Sequence, residues 1–90
     1  MLILKYSSHF KKDLKIYVNN KPILSKLEEV LNILVRGGKL PVSNLTHRLN
    51  GEFKDCFECH IEPDILLIYK IKKMEITLVL LRMGSHAKLF

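Results

Sequence analysis

The sequence predicts an α+β fold in the order β-α-α-β-β-β, in which a twisted, mainly antiparallel sheet packs on a two-helix hairpin. Its 90 residues, 48% of them hydrophobic and 27% charged, suffice for one folded core but not for a second domain of ordinary size. Apolar residues recur at helical spacing in the first half, and strand-like segments fill the second half. The short turns between those segments favour antiparallel neighbours.

The first half begins with an apolar segment, MLILKY, which is typical of a β-strand. Ser8 is then placed to cap a helix that carries apolar residues at Phe10, Leu14, Tyr17 and Val18. A second helix follows and ends at the pair Gly37 and Gly38. Its apolar stripe comprises Leu24, Leu27, Val30, Leu31, Leu34 and Val35. The two helices are expected to form a hairpin.

The second half starts with an irregular loop over residues 39–51, since Pro, Ser, Asn and Gly occur there without periodicity. Three strands are predicted after it, at about 52–60, 65–72 and 75–82. The middle one contains ILLIYKI, which is apolar on both faces and is therefore expected at the centre of the sheet. Polar residues can gather on the side of the sheet that the helices leave uncovered.

The segment 52–61 alternates in character, as a strand with one buried face does. One set, Phe53, Phe57, Cys59 and Ile61, is predicted to enter the core, and the other set, Lys54, Cys56, Glu58 and His60, to form a polar row. The two cysteines are three positions apart, so a strand would direct them to opposite faces. They are expected to be small packing residues rather than a disulfide or a metal site.

Composition limits the classes of function. No segment has the roughly 18 uncharged residues that a membrane span needs, and the N-terminal apolar run is too short for a secretory signal, so we expect a cytoplasmic protein with no membrane partner. The net charge of +6 favours contact with nucleic acid or with an acidic protein. Charge alone does not indicate catalysis.

Three histidines lie where each can reach the uncovered side of the sheet. His47 is in the loop, His60 at a strand end and His86 in the C-terminal tail, while Asp64 follows His60 by four positions. Such a set is compatible with acid–base chemistry, and equally with a zinc site of three protein ligands plus water. Purely structural histidines are a third possibility, and spacing alone does not separate the three.

Three segments, HRLNGEFKD, ECHIEPDILLIYK and LLRMGSHAKLF, resemble the YafQ branch of the RelE/ParE superfamily of bacterial type II toxins. They match its His-x-Leu-x-Gly turn, its His-hydrophobic-x-Pro-Asp step and its closing Arg-x-Gly-Ser/Thr-His-x-x-Leu-Phe. The resemblance implies one RelE-like domain of microbial-ribonuclease type over residues 1–90. It also implies an endoribonuclease that cleaves mRNA at the ribosome without a metal or other cofactor.

The resemblance further implies roles for individual residues. The family's functional histidines fall on His47, His60 and His86, its acidic residue on Asp64, its phosphate-facing arginine on Arg82 and its terminal aromatic on Phe90. Within this set our hypothesis is that His86 is the main general acid or base and that Asp64 orients an imidazole. Lys54 and Arg48 are candidates to assist Arg82 at the phosphate. The implied partners are mRNA, the ribosome and a small, acidic, partly disordered antitoxin.

One position departs from the pattern of the branch. Phe57 stands where these toxins commonly have an arginine, and Arg48 stands where proline is more common, so Arg48 is a candidate to replace the missing cation. Two alternatives therefore stay open: a weakly cleaving module of the same fold that binds RNA or antitoxin, and a ParE-like toxin that poisons gyrase. The presence of all three histidines argues against the second.

Overall fold

The computed structural model, which describes residues 1–90, confirms the predicted α+β class. Five strands and three helices follow one another as β1 (Ile3–Tyr6), α1 (Ser8–Lys15), α2 (Lys21–Val35), β2 (His47–Arg48), β3 (Phe57–Glu62), β4 (Ile65–Lys72), β5 (Thr77–Gly84) and α3 (His86–Leu89). Two short elements, β2 and α3, add to the predicted order. None of the helices has the length and apolar character needed to cross a membrane.

The strands form one sheet in the order β1-β5-β4-β3-β2. Only the β1–β5 pair is parallel, because α1 and α2 carry the chain away from β1 before the sheet resumes; the other pairs are antiparallel. β4 is central, as its apolar sequence predicts, and Leu67 and Ile68 within it are 0% exposed on opposite faces.

The two sides of the sheet differ in what covers them. The covered face, which carries Cys59, Leu67 and Leu80, packs against α1 and α2 in a core of 12 buried residues. The free face is the opposite side and carries Glu58, His60, Leu66, Ile68 and Arg82. Its apolar part is a cluster of four buried residues, Cys56, Leu66, Ile68 and Leu89, with Leu49, Phe53 and Leu81 packed around them.

The helix caps correct one expectation. Ser7, not Ser8, caps α1: its Oγ accepts the N–H of Phe10 at 2.9 Å and donates to the carbonyl of Leu81 at 2.8 Å. Asn20 caps α2 by accepting the N–H of Ile23 at 3.2 Å. Since Ser7 also bonds to β5, the start of α1 is fixed to the sheet as well as to its own first turn.

Strand boundaries differ from the prediction around β3. The expected strand from about 52 begins only at Phe57, because Gly51–Phe53 forms a 3₁₀ turn and Asp55 has a φ of 68°. Phe53 consequently packs in the small cluster of the free face instead of the core. Another 3₁₀ turn, Lys73–Glu75, delays the last strand to Thr77.

Candidate active site

A row of side chains crosses the free face in register. Backbone pairing aligns His47 of β2 with Glu58 of β3, Glu58 with Ile68 of β4, and Ile68 with Arg82 of β5. Directly opposed residues in a sheet project to the same side, and neighbouring strands are about 4.8 Å apart. His47 and Arg82 therefore stand on one surface, three strand spacings apart.

His47 is held by two oxygen atoms. Its Nε2 is 2.7 Å from a carboxylate oxygen of Glu58, and its Nδ1 is 3.1 Å from the carbonyl oxygen of Leu45. Both ring nitrogens can donate at once only when the imidazole is protonated. The Glu58 side chain is 6% exposed whereas that of His47 is 54% exposed, so a buried carboxylate orients a histidine that solvent can reach.

His60 lies in the next row. It pairs with Leu66, which pairs with Gly84, and Gly84 precedes His86 by two positions. Its Nδ1 is 3.1 Å from the carbonyl oxygen of Pro63, and its own carbonyl accepts from Asn44 at 2.8 Å. A bulge after His60 marks the end of the regular ladder.

Asp64 is exposed in the turn between β3 and β4. Our hypothesis is that it orients an imidazole, yet the His60 ring is held by the Pro63 carbonyl and the His47 ring by Glu58. Asp64 thus lies close to His60 in the chain without a hydrogen bond to a histidine in this arrangement.

Arg82 is already paired with a carboxylate. Its Nε donates to Oδ2 of Asp13 at 2.8 Å and its Nη2 to Oδ1 at 3.2 Å, while the backbone N–H of Met83 donates to the same Oδ2 at 2.9 Å. Burial by itself would raise the pKa of Asp13, but these hydrogen bonds and the guanidinium charge hold that pKa below its usual range. The cation expected to face phosphate is therefore fixed in direction by α1.

The C-terminal tail folds over the free face. Leu89 is 8% exposed in the small apolar cluster, so it anchors α3. The His86 ring lies 4.9 Å from the Phe90 ring, and Phe90 meets Phe53 edge to face at 5.7 Å. The rings of His86 and Phe90 stay exposed and form an aromatic surface at the end of β5 where Arg82 also lies.

Arg48 stands apart from the histidines. It pairs with Phe57, so it projects to the covered face, and its guanidinium carbon lies 5.4 Å from the centre of the Phe57 ring. Phe57 in turn stacks on Tyr69 at 5.7 Å, and burial raises the pKa of Tyr69 to about 12. Lys54 is exposed in the turn before β3.

The cysteines occupy opposite faces, as predicted. Cys59 is 0% exposed in the core, and Cys56 is 5% exposed in the small cluster of the free face. Burial raises the pKa of both thiols, that of Cys59 to about 12 with help from the charge of Glu58. Cys56 is thus apolar packing rather than a member of the predicted polar row.

No three side chains among the histidines, cysteines and carboxylates come together in a group that could hold a metal ion. The His47 ring contacts Glu58, the His60 ring lies against the Pro63 carbonyl and the His86 ring packs on Phe90, so each imidazole has a different neighbour. What the free face does present is separate histidine side chains and an oriented guanidinium.

The family model described as the YafQ toxin of bacterial type II toxin–antitoxin systems matches residues 2–90. The chain belongs to this family. It is 33% identical over 88 residues to the mRNA interferase toxin YafQ of Escherichia coli K12, covering 97% of this chain and 94% of that protein. The match confirms the family that the three quoted segments predict.

Solved structures of bacterial toxins agree with the fold. A metal-bound toxin from Helicobacter pylori superposes with a TM-score of 0.92 at 47% identity, and each chain is covered completely. YafQ in the E. coli DinJ–YafQ complex superposes with a TM-score of 0.86 at 32% identity, covering 100% of this chain and 99% of that one.

Sequence reasoning missed two carboxylates of this YafQ-family site. Alternation predicts Glu58 only as a member of the polar row, because its pairing with His47 depends on β2, a two-residue strand that no pattern announces. Asp13 carries no signal of its own, because helical spacing shows only that it follows Phe10 by three positions on a lysine-rich helix. Its partner is 69 positions away in the chain, and no local pattern connects them.

Proposed function

We propose that this chain is a metal-independent endoribonuclease toxin that cleaves mRNA and so inhibits translation. The observation that supports the proposal is the free face, from which His47, His60 and Arg82 project and over which the tail helix that carries His86 is anchored by Leu89. The E. coli relative, named an mRNA interferase toxin, supports the same activity.

Cleavage proceeds through the 2′-hydroxyl of the RNA. One group removes its proton, the 2′-oxygen attacks the adjacent phosphorus, and the bond to the 5′-oxygen breaks as a second group protonates that oxygen. The products are a 2′,3′-cyclic phosphate and a 5′-hydroxyl end. Histidine can serve in both steps, since its ordinary pKa of about 6.5 makes either protonation state available near neutrality.

The residues divide these tasks. His86 is the main general acid or base, and His47 and His60 supply the complementary proton transfer or contact the phosphate. Arg82 stabilises the charge that builds on the phosphate, with Lys54 as an outlying cation, and Phe90 stacks on a base. Glu58 orients His47, and Asp64 remains the candidate for the carboxylate beside His60.

The proposed partners are mRNA on the ribosome in the cytoplasm and an antitoxin. The complex formed by the E. coli relative with DinJ supports a protein antitoxin. A small acidic antitoxin fits the net charge of +6 by simple attraction. The same charge suits the phosphate backbone of RNA.

The test compares wild type with His86→Gln. Gln keeps approximate size and hydrogen bonding but cannot titrate near neutrality, so cleavage of mRNA on ribosomes should fall by a factor of about 100 or more. Far-UV circular dichroism and antitoxin binding should stay unchanged. The wild-type reaction should persist in EDTA and leave a cyclic phosphate end.

Three outcomes would contradict the proposal. Loss of wild-type cleavage in EDTA would indicate a metal-dependent site, and near-normal cleavage by His86→Gln would remove the proton-transfer role. Blocked replication with normal protein synthesis, when the chain is expressed alone in bacteria, would move it to the gyrase-poisoning class.

A further inference from the structure

Helix α1 replaces β1 as the neighbour of β5 at the edge of the sheet. The β1–β5 ladder ends where Tyr6 pairs with Leu80. Beyond it, Ser7 donates its N–H to the Leu80 carbonyl at 3.0 Å, and the carboxylate of Asp13 accepts the N–H of Met83 at 2.9 Å. Asp13 thus accepts the backbone N–H of Met83, which lies on the edge of the sheet beyond the end of β1.

The same carboxylate holds the guanidinium of Arg82 by two hydrogen bonds, to Nε and Nη2. Asp13 is only 4% exposed, whereas the Arg82 side chain is 25% exposed and borders a cleft whose other polar lining residues are Ser7, His9 and Glu52. A guanidinium has five N–H donors. Two are used by Asp13, which leaves three for a ligand on the cleft side.

We propose that Asp13 is a positioning residue, which fixes Arg82 so that its three remaining donors meet the charge that develops on an RNA phosphate at the free face during cleavage. This inference rests on the proposed function. Two-point contact fixes the plane of a guanidinium, which a single contact does not. Because the pair is neutral overall, Asp13 does not help the protein attract RNA. Its effect is expected in the cleavage step and not in binding.

The matched variants are Asp13→Asn and Asp55→Asn. Asn at position 13 can still accept the Met83 N–H, so the edge of β5 stays bonded while the charged two-point contact is lost. Asp55 is exposed in a turn with a φ of 68°, which Asn also tolerates. Both changes raise the net charge equally, so any general gain in RNA affinity is the same in the two variants.

Single-turnover cleavage of mRNA on ribosomes, at saturating protein, should fall about 10- to 100-fold in Asp13→Asn, since small misplacement of a stabilising group costs about that much. Asp55→Asn should match wild type within about twofold. The affinity of both for a 2′-O-methyl RNA, which is bound but cannot be cleaved, should be equal. A purely structural Asp13 would instead lower the folded fraction and leave the cleavage rate of the folded molecules unchanged.

A double-mutant cycle tests whether Asp13 acts through Arg82. Asp13→Asn should have no further effect in an Arg82→Gln background, and additive effects would overturn the inference. If Asp13→Asn does not fold, Arg82→Lys takes its place: lysine keeps the charge but not the two-point contact, so wild-type cleavage by Arg82→Lys would also overturn it.

The two proposals fail in different ways. Wild type that cleaves mRNA, together with equal rates for Asp13→Asn and Asp55→Asn, overturns the positioning role alone. Wild type that cleaves no mRNA overturns the proposed function, and the positioning role with it.

Discussion

The two faces of the sheet are built from the same strands and have different compositions. The covered face contributes to a core of 12 buried residues, and its fully buried members include Leu67, Leu78, Leu80 and Met83. The free face has an apolar cluster of four residues, bordered by His47 with Glu58, by His60 and by Arg82 with Asp13. One face supplies stability, while the other holds ionisable groups in fixed positions.

Alternation along β3 makes the difference most visible. Phe57 and Cys59 enter the covered face, whereas Glu58 and His60 project from the free face. A shift of one residue in register would exchange the two sets and put Glu58 and His60 among the apolar residues of the larger core. The apolar set therefore fixes the orientation of the polar set.

Replacing an apolar residue of the covered face by a charged one should have the largest effect. Phe57→Arg puts a cation where Phe57 stacks on Tyr69 and next to Arg48. We expect the free energy of unfolding to fall by about 2 kcal/mol, from lost packing and charge repulsion. Urea unfolding measures this. Cleavage should not rise, because position 57 faces away from the histidines; increased cleavage at unchanged stability would show that the two faces are not separated in this way.

Removing the charge of Glu58, which contacts His47, should have a somewhat smaller effect. Glu58→Gln keeps the size and a hydrogen bond but removes the charge that holds the imidazole 2.7 Å away. The cleavage rate should drop about tenfold, equivalent to about 1.4 kcal/mol. Glu28→Gln makes the same change of charge on an exposed position of α2 and should leave the rate unaltered. Equal rates for both variants would mean that Glu58 only fills space.

The two cysteines offer a matched pair across the sheet. Serine at Cys59 would put a hydroxyl at a fully buried position of the larger core, which should cost about 1–3 kcal/mol of stability. Cys56→Ser should cost less, because its Sγ lies 3.8 Å from the carbonyl of Lys54, which a hydroxyl can approach as a donor. Thermal unfolding would show which variant loses more stability. A larger loss in Cys56→Ser would contradict the placement of Cys59 in the larger core. Cleavage should persist in both.

The smallest effect expected is a dependence of stability on acid. Because hydrogen bonds and the guanidinium of Arg82 keep the pKa of Asp13 lower in the folded protein than in the unfolded chain, the unfolded chain binds the proton first as pH falls. The stabilisation is complete above about pH 4 and is lost as pH falls further, through the folded pKa. Urea unfolding of wild type and Asp13→Asn at pH 6 and pH 3 should give a smaller difference at pH 3. The same stability difference at both pH values would show that protonation of Asp13 does not contribute to acid unfolding.

Much of this architecture follows from local patterns. The apolar run of β4 predicted a central strand, the helical spacing predicted α1 and α2, and alternation predicted opposite faces for Cys56 and Cys59. The predicted strand bounds are wrong where a turn interrupts the sequence pattern. The 3₁₀ turn at Gly51–Phe53 ended the alternation that had assigned Phe53 to the core, because residues outside a strand do not follow its two-residue period.

Family motifs pointed to the histidines, and strand register then placed them. His47, His60 and Arg82 come from three separate strands, and pairing through Glu58 and Ile68 puts them on one surface. Arg48 is not placed to supply the cation missing at position 57. It alternates with His47 on β2 and therefore projects to the covered face, away from the histidines. A two-residue edge strand inside a loop carries too short a pattern to be recognised.

By itself, the sequence determined the fold class, the family and which histidines are candidates for proton transfer, because periodicity and motifs are properties of neighbouring residues. Only the tertiary structure decided which carboxylate serves which partner: Glu58 holds His47, and Asp13 holds Arg82. The physical reason is that an ion pair depends on separation in space. Asp13 and Arg82 meet because β1 ends early and α1 continues along the exposed edge of β5, a consequence of packing that no short segment encodes.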